Sequence, residues 1–333
     1  MKKYEITDRC KAVKGTMVYQ IRALVDIPIY HIKAGDLGGW LTAEGIGLCH
    51  EGNAWLHPFA TLLSSHVYGD TLVENGIIEN SKIKAKSISC AHIEESVING
   101  TNVVIDDSTV ISDSIIISDG EVEVKDNVRL FGMHIEGEKI EIYGECVLKK
   151  STIKGSGIII QGTSKMNGSS IKSDEVTLID SHLDKGTDIL ATCVVVSNSE
   201  LREMKVNGEN IVISSTSFFK GVIRASISTF RGNVEIYNAH IEGKNIHLDG
   251  NIKLYNCSIY GNGFNISDEA ELKWVYFRGD GITLNGIVHL TGKGEAFQIK
   301  ENVVINGFIT MKIKGKSIQL KDETVEGDFV FES

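Results

Sequence analysis

The chain has 333 residues, of which 42% are apolar, and its 34 basic and 44 acidic side chains give a formal net charge of −10. This apolar content is too high for a disordered chain, and the acidic balance argues against a broad nucleic-acid-binding face, because phosphate binding depends on Lys and Arg. No stretch approaches the ~20 apolar residues of a membrane-spanning helix.

The first 50 residues do not repeat and are predicted to form a capping region. Residues 21–25 (Ile-Arg-Ala-Leu-Val) are typical of a strand, and residues 33–40 (Lys-Ala-Gly-Asp-Leu-Gly-Gly-Trp) form a turn-rich bend that ends on an aromatic side chain. The open end of a β-solenoid exposes apolar side chains and unpaired strand edges. We therefore expect Leu37, Trp40 and Trp55 to plug such an end.

Residues from about 20 to 75 resemble the YdcK-like family of bacterial and phage-associated proteins. The resemblance rests on the Arg-x-hydrophobic strand, on the motif KAGDLGGW at residues 33–40 and on the entry Gly-Asn-Ala-Trp at residues 52–55. It implies a left-handed β-helix with an N-terminal cap. Relatives are often labelled transferase-like because of their β-helix, and a likeness of fold does not establish chemistry.

Residues 51–333 are predicted to form the β-helix, because aliphatic side chains recur there at a constant shift of eighteen positions, as from Leu130 to Leu148. They lie in alternating apolar and polar segments, which are typical of strands with one buried face. Before residue 110 the pattern decays, although Ile117 and Val124 still fit. The first register comprises Leu130, Leu148, Met166, Ile236, Leu254, Leu272, Leu290 and Phe308. The second comprises Ile135, Ile153, Ile171, Ile241, Ile259, Phe277 and Ile313. The third comprises Ile142, Ile160, Leu178, Val196, Leu248, Ile266, Leu284 and Leu320.

Turn-forming residues, mostly Gly, Asn and Asp, follow most register residues by two positions. A chain that bends sharply needs positive φ at its corners, which these residues tolerate best. Three strands and three corners in each repeat predict an all-β, single-stranded parallel β-helix with triangular coils. We predict a left-handed helix, with a right-handed one as the main rival. A slip in the phase of the repeat predicts an irregular coil or insertion near residues 197–233, where Phe218, Phe219 and Phe230 find no clean place.

Large aromatic side chains are predicted to project outward from three successive coils. Tyr237 and Tyr255 are one repeat apart and should stack, Tyr260 follows inward Ile259, and the next coil adds two more aromatics, Trp274 at a corner and Tyr276 before an inward residue. These five residues, Tyr237, Tyr255, Tyr260, Trp274 and Tyr276, are the candidate binding residues. A patch of this kind binds partners or ligands; the competing interpretation is a set of cross-strand pairs that only stabilises the sheet.

No catalytic residue, metal ligand or cofactor site is predicted. His134, His182 and His240 precede inward residues, so they should lie outside and several coils apart. His31, Asp36, His50 and His57 are close in sequence and could converge in the cap, yet they lack metal-binding spacing. Phosphate-binding glycine loops and nucleophile elbows are missing from the sequence. The six cysteines have no paired spacing, so free and mostly buried thiols are expected.

These features favour a cytoplasmic, non-catalytic β-helix scaffold that binds a partner or small ligand, or self-associates as a dimer or trimer, through the outward aromatic face. No direct nucleic-acid or membrane binding is expected. An acyl-CoA-dependent acyltransferase of the trimeric β-helix type is the first alternative and would need a histidine base in a cleft between subunits. A rod with acidic faces that mimics nucleic acid or occupies a basic partner is the second.

Overall fold

The computed structural model describes the backbone of residues 1–13, 15–43, 48–63, 66–68, 72–77, 82–84, 87–89, 92–94, 97–100, 103–106, 110–261, 263–278, 282–292, 296–299, 303–313, 316–321, 324–325 and 329–332. Side chains are described for residues 1–13, 15–43, 48–63, 67, 98, 103–105, 110–261 and 263–275. Stacked parallel coils form a β-solenoid, which confirms the predicted fold class. In the described ranges the only helix is a 3₁₀ turn at Pro28–Tyr30. The chain divides into two compact units, Met1–Ser170 and Ile171–Ser333.

The first unit begins with antiparallel strands at Tyr4–Val13, Thr16–Ala23 and Leu37–Thr42, each paired with the next. The third of these runs parallel to Trp55–Leu62, so the mode of pairing changes here from antiparallel to parallel. Trp55 is completely buried, as expected of a plug, whereas Leu37 and Trp40 are half-buried. The indole nitrogen of Trp40 donates a hydrogen bond to the carbonyl of Pro58 (3.1 Å).

The KAGDLGGW motif has a structural explanation. Its turn is closed by the Asp36 carboxylate, which accepts a hydrogen bond from the amide of Lys33 (2.8 Å), and Gly35 has a φ of 97°. A Cβ at Gly38 would lie 2.6 Å from the Trp55 ring, and one at Gly39 would lie 2.5 Å from the carbonyl oxygen of Ala60. The two glycines therefore let this strand pack directly on the first strand of the solenoid.

The solenoid of the first unit is built from short strands that stack parallel on three sheets. In the first sheet Leu130 lies opposite Leu148, in the second Ile135 opposite Ile153, and all four side chains are fully buried. The strands are Leu72–Ile77, Lys82–Lys84, Ser87–Ser89, His92–Glu94, Val97–Gly100, Val103–Asp106, Val110–Ser112, Ile115–Ser118, Glu121–Val124, Arg129–Phe131, His134–Glu136, Lys139–Tyr143, Val147–Lys149, Thr152–Gln161 and Lys165–Asn167. Two pairings near the start of this solenoid are antiparallel instead, that of His66–Tyr68 with Ser87–Ser89 and that of Leu72–Ile77 with Lys82–Lys84.

The prediction that Ile117 faces the core is wrong. Ile116 lies opposite Ile135 and is fully buried, whereas Ile117 lies opposite Glu136 and is exposed. The coil from Ile116 to Ile135 is one residue longer than the regular repeat, so the inward-facing residue is Ile116 and not Ile117. Val124 is buried opposite Ile142, as predicted.

In the second unit several coils are formed by long strands that turn corners without losing their pairing. In the first sheet Leu254 lies opposite Leu272, and Leu272 lies opposite Leu290, so the predicted register is confirmed. The strands are Ser170–Ile179, His182–Asp184, Asp188–Ser197, Glu200–Ser214, Ser217–Arg231, Val234–Asp249, Ile252–Tyr255, Ser258–Gly261, Phe264–Ser267, Glu269–Lys273, Tyr276–Arg278, Ile282–Gly292, Ala296–Ile299, Val303–Ile313, Lys316–Lys321, Thr324–Val325 and Phe329–Glu332.

The region near residues 197–233, for which the sequence predicted an irregular coil or insertion, is regular. Asp188–Ser197 pairs with Glu200–Ser214, and the latter with Ser217–Arg231, at the same constant offset. That offset is one residue shorter than the regular repeat. Two consecutive coils are therefore short, and together they produce the slip in the phase of the repeat. Phe218 lies between Leu201 and Ile236 in the first register, Phe230 falls in the third, and both are fully buried.

The repeat ends differently from the prediction. Leu290 lies opposite Met311 rather than Phe308, because the last parallel coil is longer than the regular repeat. Leu320 belongs to Lys316–Lys321, which folds back antiparallel on Val303–Ile313 and therefore starts no new coil. Phe329–Glu332 likewise pairs antiparallel with Ala296–Ile299.

Two of the three corners have the predicted positive φ. After the first register they include Lys150 (52°), Asn238 (54°) and Asn256 (53°), and after the third Asp180 (53°) and Gly250 (113°). The corner after the second register is different, because its glycines do not have positive φ. They are Gly137, Gly155, Gly208, Gly243 and Gly261. They are needed there because the chain packs closely on the next coil: a Cβ at Gly155 would lie 2.7 Å from the carbonyl oxygen of Gly137.

Buried hydroxyls link successive coils beside the left-handed corners. The Ser199 hydroxyl accepts a hydrogen bond from the amide of Ser181 one coil away (3.1 Å) and donates to the carbonyl of Ser197 (2.8 Å). Ser151 has the same two kinds of partner in the first unit, the amide of Met133 and the carbonyl of Lys149. These hydroxyls satisfy backbone groups that the bends remove from the sheet ladders.

Candidate binding surfaces

The outward side of the first sheet carries an aromatic ladder, defined as Arg202, Phe219, Tyr237, Tyr255 and Lys273. The Phe219 and Tyr237 rings stack at 4.9 Å with a 3° angle between planes, and the Tyr237 and Tyr255 rings at 4.7 Å and 7°. Arg202 lies 5.6 Å from the centre of the Phe219 ring, and Lys273 lies 5.3 Å from that of Tyr255. All five residues occupy one position on consecutive coils.

The phenol groups of the ladder are also paired. The Tyr237 hydroxyl donates to Glu235 (3.2 Å), and the Tyr255 hydroxyl donates to Glu271 (2.9 Å). Burial, followed by the hydrogen bond and charge of Glu271, raises the pKa of Tyr255 to about 12. Since the ring faces cover one another and the hydroxyls have partners, the ladder stabilises stacked coils and presents mainly ring edges to solvent.

The four candidate binding residues with described side chains are divided between the first sheet, the second sheet and a corner. Tyr237 and Tyr255 stack as predicted, whereas Tyr260 lies on the second sheet, 5.0 Å from the ring of His240. Trp274 occupies a corner with a φ of 58° and is 47% exposed. The backbone of Tyr276 lies opposite Ser258, and its side chain is outside the described residues.

A groove, which sequence reasoning missed, runs along the corner between the second and third sheets. It has a volume of about 850 Å³ and spans six coils of the second unit. Its floor is the column of small residues two positions after the second register, and its walls are the residues on either side of that column. The floor consists of Ser173, Ala191, Gly208, Ala225, Gly243 and Gly261. One wall consists of Lys172, Leu190, Asn207, Arg224, Glu242 and Tyr260, and the other of Asp174, Thr192, Glu209, Ser226 and Lys244.

The walls of the groove are polar and mixed in charge. Arg224 and Glu242 form an ion pair at 3.0 Å, and both side chains are more than half exposed. Leu190 is 52% exposed. Most of the wall side chains are polar and exposed, and with the small residues of the floor they border a shallow, open groove.

The first unit has a smaller groove of about 410 Å³, also beside residues two positions after the second register, and its character differs. Its acidic residues are Asp119, Glu136 and Glu138, and its basic residue is Lys154. Lys154 pairs with Glu136 at 2.5 Å, and hydrogen bonds from Lys154 and His134 lower the pKa of Glu136. This groove has a surplus of negative charge.

The three histidines that the sequence placed outside the core are separated, as predicted. His134, His182 and His240 lie on the outside, each near one glutamate, at 3.4, 2.9 and 3.8 Å respectively. In the cap, His50 accepts a hydrogen bond from the amide of Lys3, whereas the Asp36 carboxylate accepts one from the amide of Lys33. Within the described ranges, no group of three or more His, Cys, Asp or Glu residues could hold a metal ion.

Five of the six cysteines lie in the part of the chain that the structure describes, and all five are free thiols. Cys146 and Cys257 are buried, and burial raises the pKa of Cys146 to about 11. Both are therefore protonated, unreactive core residues at neutral pH.

No helix of the described chain has the length and apolar content that a membrane crossing requires. In the comparisons with known proteins, no family model, curated protein or solved structure matches this chain.

Proposed function

We propose that this protein is a non-catalytic scaffold that binds an elongated ligand in the groove of the second unit. The observation that carries this proposal is a channel of about 850 Å³ with a floor of small residues and exposed polar walls, repeated over six coils. Close packing of the coils accounts for the small residues of the floor, but it does not require charged and polar side chains on both walls. Rigid strands on both sides hold the walls in fixed positions, which lowers the entropy lost on binding.

The outward aromatic side chains enter this proposal through Tyr260, which belongs to a wall of the groove. The aromatic ladder has a different role in it. Because its rings stack on each other and on flanking cations, its faces are already occupied. We assign the ladder to coil stability and the groove to ligand binding.

The test is a binding screen with defined extended probes on the full chain and on a variant whose groove is blocked. The probes are neutral oligosaccharides, unstructured decapeptides of positive, negative and zero charge, and single-stranded oligonucleotides. Ser226→Trp places a large side chain on an exposed wall position in the middle of the groove. Thr229→Trp, on the same strand but on the outer side of the third sheet, is the matched control.

We expect at least one class of probe to bind the natural chain and the control, measured by isothermal titration calorimetry, and to bind Ser226→Trp at least about tenfold more weakly. If Ser226→Trp does not fold, Thr192→Trp at the equivalent wall position replaces it. Failure of every class to bind, or binding that the blocked groove does not weaken, would refute the proposal.

A further inference from the structure

The charges that line the groove cancel. Its ionisable wall residues are three cations, Lys172, Arg224 and Lys244, and three anions, Asp174, Glu209 and Glu242. Each wall carries both signs: Lys172 lies across the floor from Asp174, and Glu242 lies across it from Lys244. A polyanion or a polycation would meet as many repelling as attracting charges here, so the walls favour a ligand without net charge.

The backbone around the groove has no free strand edge for an extended peptide. Gly208 lies opposite Ala225 and Ala225 lies opposite Gly243, so the floor belongs to strands that are paired on both sides. Peptides that bind by adding a strand need unpaired backbone groups at a sheet edge. Side chains alone would therefore have to recognise a ligand in this channel.

Those side chains combine hydrogen-bond donors and acceptors with a few apolar surfaces. Asn207, Thr192 and Ser226 offer both donor and acceptor groups, and the exposed Arg224–Glu242 pair adds a planar donor beside a carboxylate acceptor. Leu190 and Tyr260 supply apolar surface near opposite ends. Sugar rings present the complementary combination, hydroxyls around the rim and C–H groups on the faces.

The length of the groove also fits an extended oligomer. Five coil steps separate Lys172 from Tyr260, which corresponds to ~24 Å at the ~4.8 Å spacing of stacked strands. A repeating ligand can meet a wall side chain at each step, because every coil contributes one residue to this wall.

We propose that the groove binds a neutral oligosaccharide that lies along the stack of coils. This inference rests on the proposed function and adds the chemical class of the ligand. The probes are cellohexaose, N-acetylated chitohexaose and maltohexaose, all without charge, titrated into the full chain. Zwitterionic decapeptides and oligonucleotides are titrated in parallel.

We expect at least one hexasaccharide to bind, with at least about tenfold weaker binding to Ser226→Trp and unchanged binding to Thr229→Trp. Because the ligand is neutral, its affinity should stay within about twofold between about 50 mM and about 200 mM salt, where phosphate binding would fall steeply. Tyr260→Ala should also weaken the interaction, since a stacking surface is removed.

The outcomes separate the two proposals. Groove-dependent binding of a peptide or an oligonucleotide, with no binding of any hexasaccharide, would overturn the ligand class and leave the proposed function standing. Hexasaccharide binding that survives Ser226→Trp, or no binding by any probe, would overturn both.

Discussion

Ser228 is a hydroxyl in an otherwise apolar column of the core. It is fully buried and lies opposite Ile211 on one coil and Ile246 on the next. Its Oγ atom has no hydrogen-bond partner, in contrast to the buried hydroxyls of Ser151 and Ser199 at the corners. A buried and unpaired hydroxyl reduces stability because its hydration is lost without replacement.

We predict that Ser228→Ala raises the free energy of unfolding by about 1 kcal/mol, since it removes the unpaired hydroxyl at little cost in packing. Urea unfolding followed by circular dichroism measures the change. Ser226→Ala, two residues away and exposed, is the control and should change stability by less than about 0.5 kcal/mol. A destabilised Ser228→Ala would mean that the hydroxyl has a partner, such as a buried water molecule.

At the scale of an element, the corner between the second and third sheets depends on close contact between coils. A Cβ at Gly261 would clash with the carbonyl oxygen of Gly243, and one at Gly243 would lie 2.6 Å from the carbonyl oxygen of Ala225. Backbone atoms cannot move away as a flexible side chain can. Glycine at this corner is therefore a requirement of coil spacing and not of φ.

Gly261→Ala should consequently lower the free energy of unfolding by about 1–3 kcal/mol, the usual cost of overpacking. The matched variant is Gly157→Ala, because a Cβ there has no neighbour within 4 Å and the φ of Gly157 is not left-handed. Its effect should be neutral or slightly stabilising, since alanine restricts the unfolded chain. Equal losses in the two variants, compared by thermal unfolding, would contradict the close-contact explanation.

The elements were largely predictable, because inward aliphatic residues such as Leu254 and Leu272 recur at a constant shift. The two shorter coils were less predictable, because the regular shift links Phe218 to Ile236 and Phe230 to Leu248 but does not reach back to Leu201 and Ile213. Those links need a shift that is shorter by one residue. Likewise, a single coil that is longer by one residue places Ile117 on the outside, where the regular repeat predicts an inward side chain.

The groove has a sequence signal that resembles that of a left-handed corner. The small residues two positions after the second register, such as Gly243 and Gly261, predict corners like those after the other registers. Two of these floor positions, Ala191 and Ala225, are alanines, which have little preference for positive φ. That difference in composition was the available evidence for a tighter, concave bend. The pairing of Phe219 with Tyr237 follows the same regular shift that pairs Tyr237 with Tyr255, so the sequence also carried this signal.

At the scale of the molecule, several tyrosines couple folding to alkaline pH. Burial raises the pKa of Tyr4 to about 12, burial together with Glu271 does the same for Tyr255, and the pKa of Tyr237 is raised as well. An unfolded tyrosine ionises near pH 10. The stability contributed by these neutral phenols is therefore complete below pH 10 and is lost as the pH rises from about 10 to about 12.

We predict that the urea midpoint of the natural chain falls across this interval and that spectrophotometric titration shows late-ionising tyrosines. Tyr255→Phe keeps the ring in the ladder and removes the ionisable hydroxyl, so the fall should be smaller in this variant. Tyr19→Phe is the control, because Tyr19 belongs to the strand Thr16–Ala23 and not to the ladder, and the substitution should leave the fall unchanged. Identical pH profiles for Tyr255→Phe and the natural chain would contradict the assignment.

The constant offset between Val234–Asp249 and the strands that follow it has a consequence for evolution. Asn256 and Asn238 occupy equivalent positions on successive coils. The side-chain amide of Asn256 donates a hydrogen bond to that of Asn238 (2.6 Å). If the part of the gene that encodes one coil were duplicated or lost, each residue of the adjoining coils would still lie opposite a residue in the equivalent position. The channel could thus lengthen or shorten in whole steps, and natural selection could match its reach to the size of what it holds.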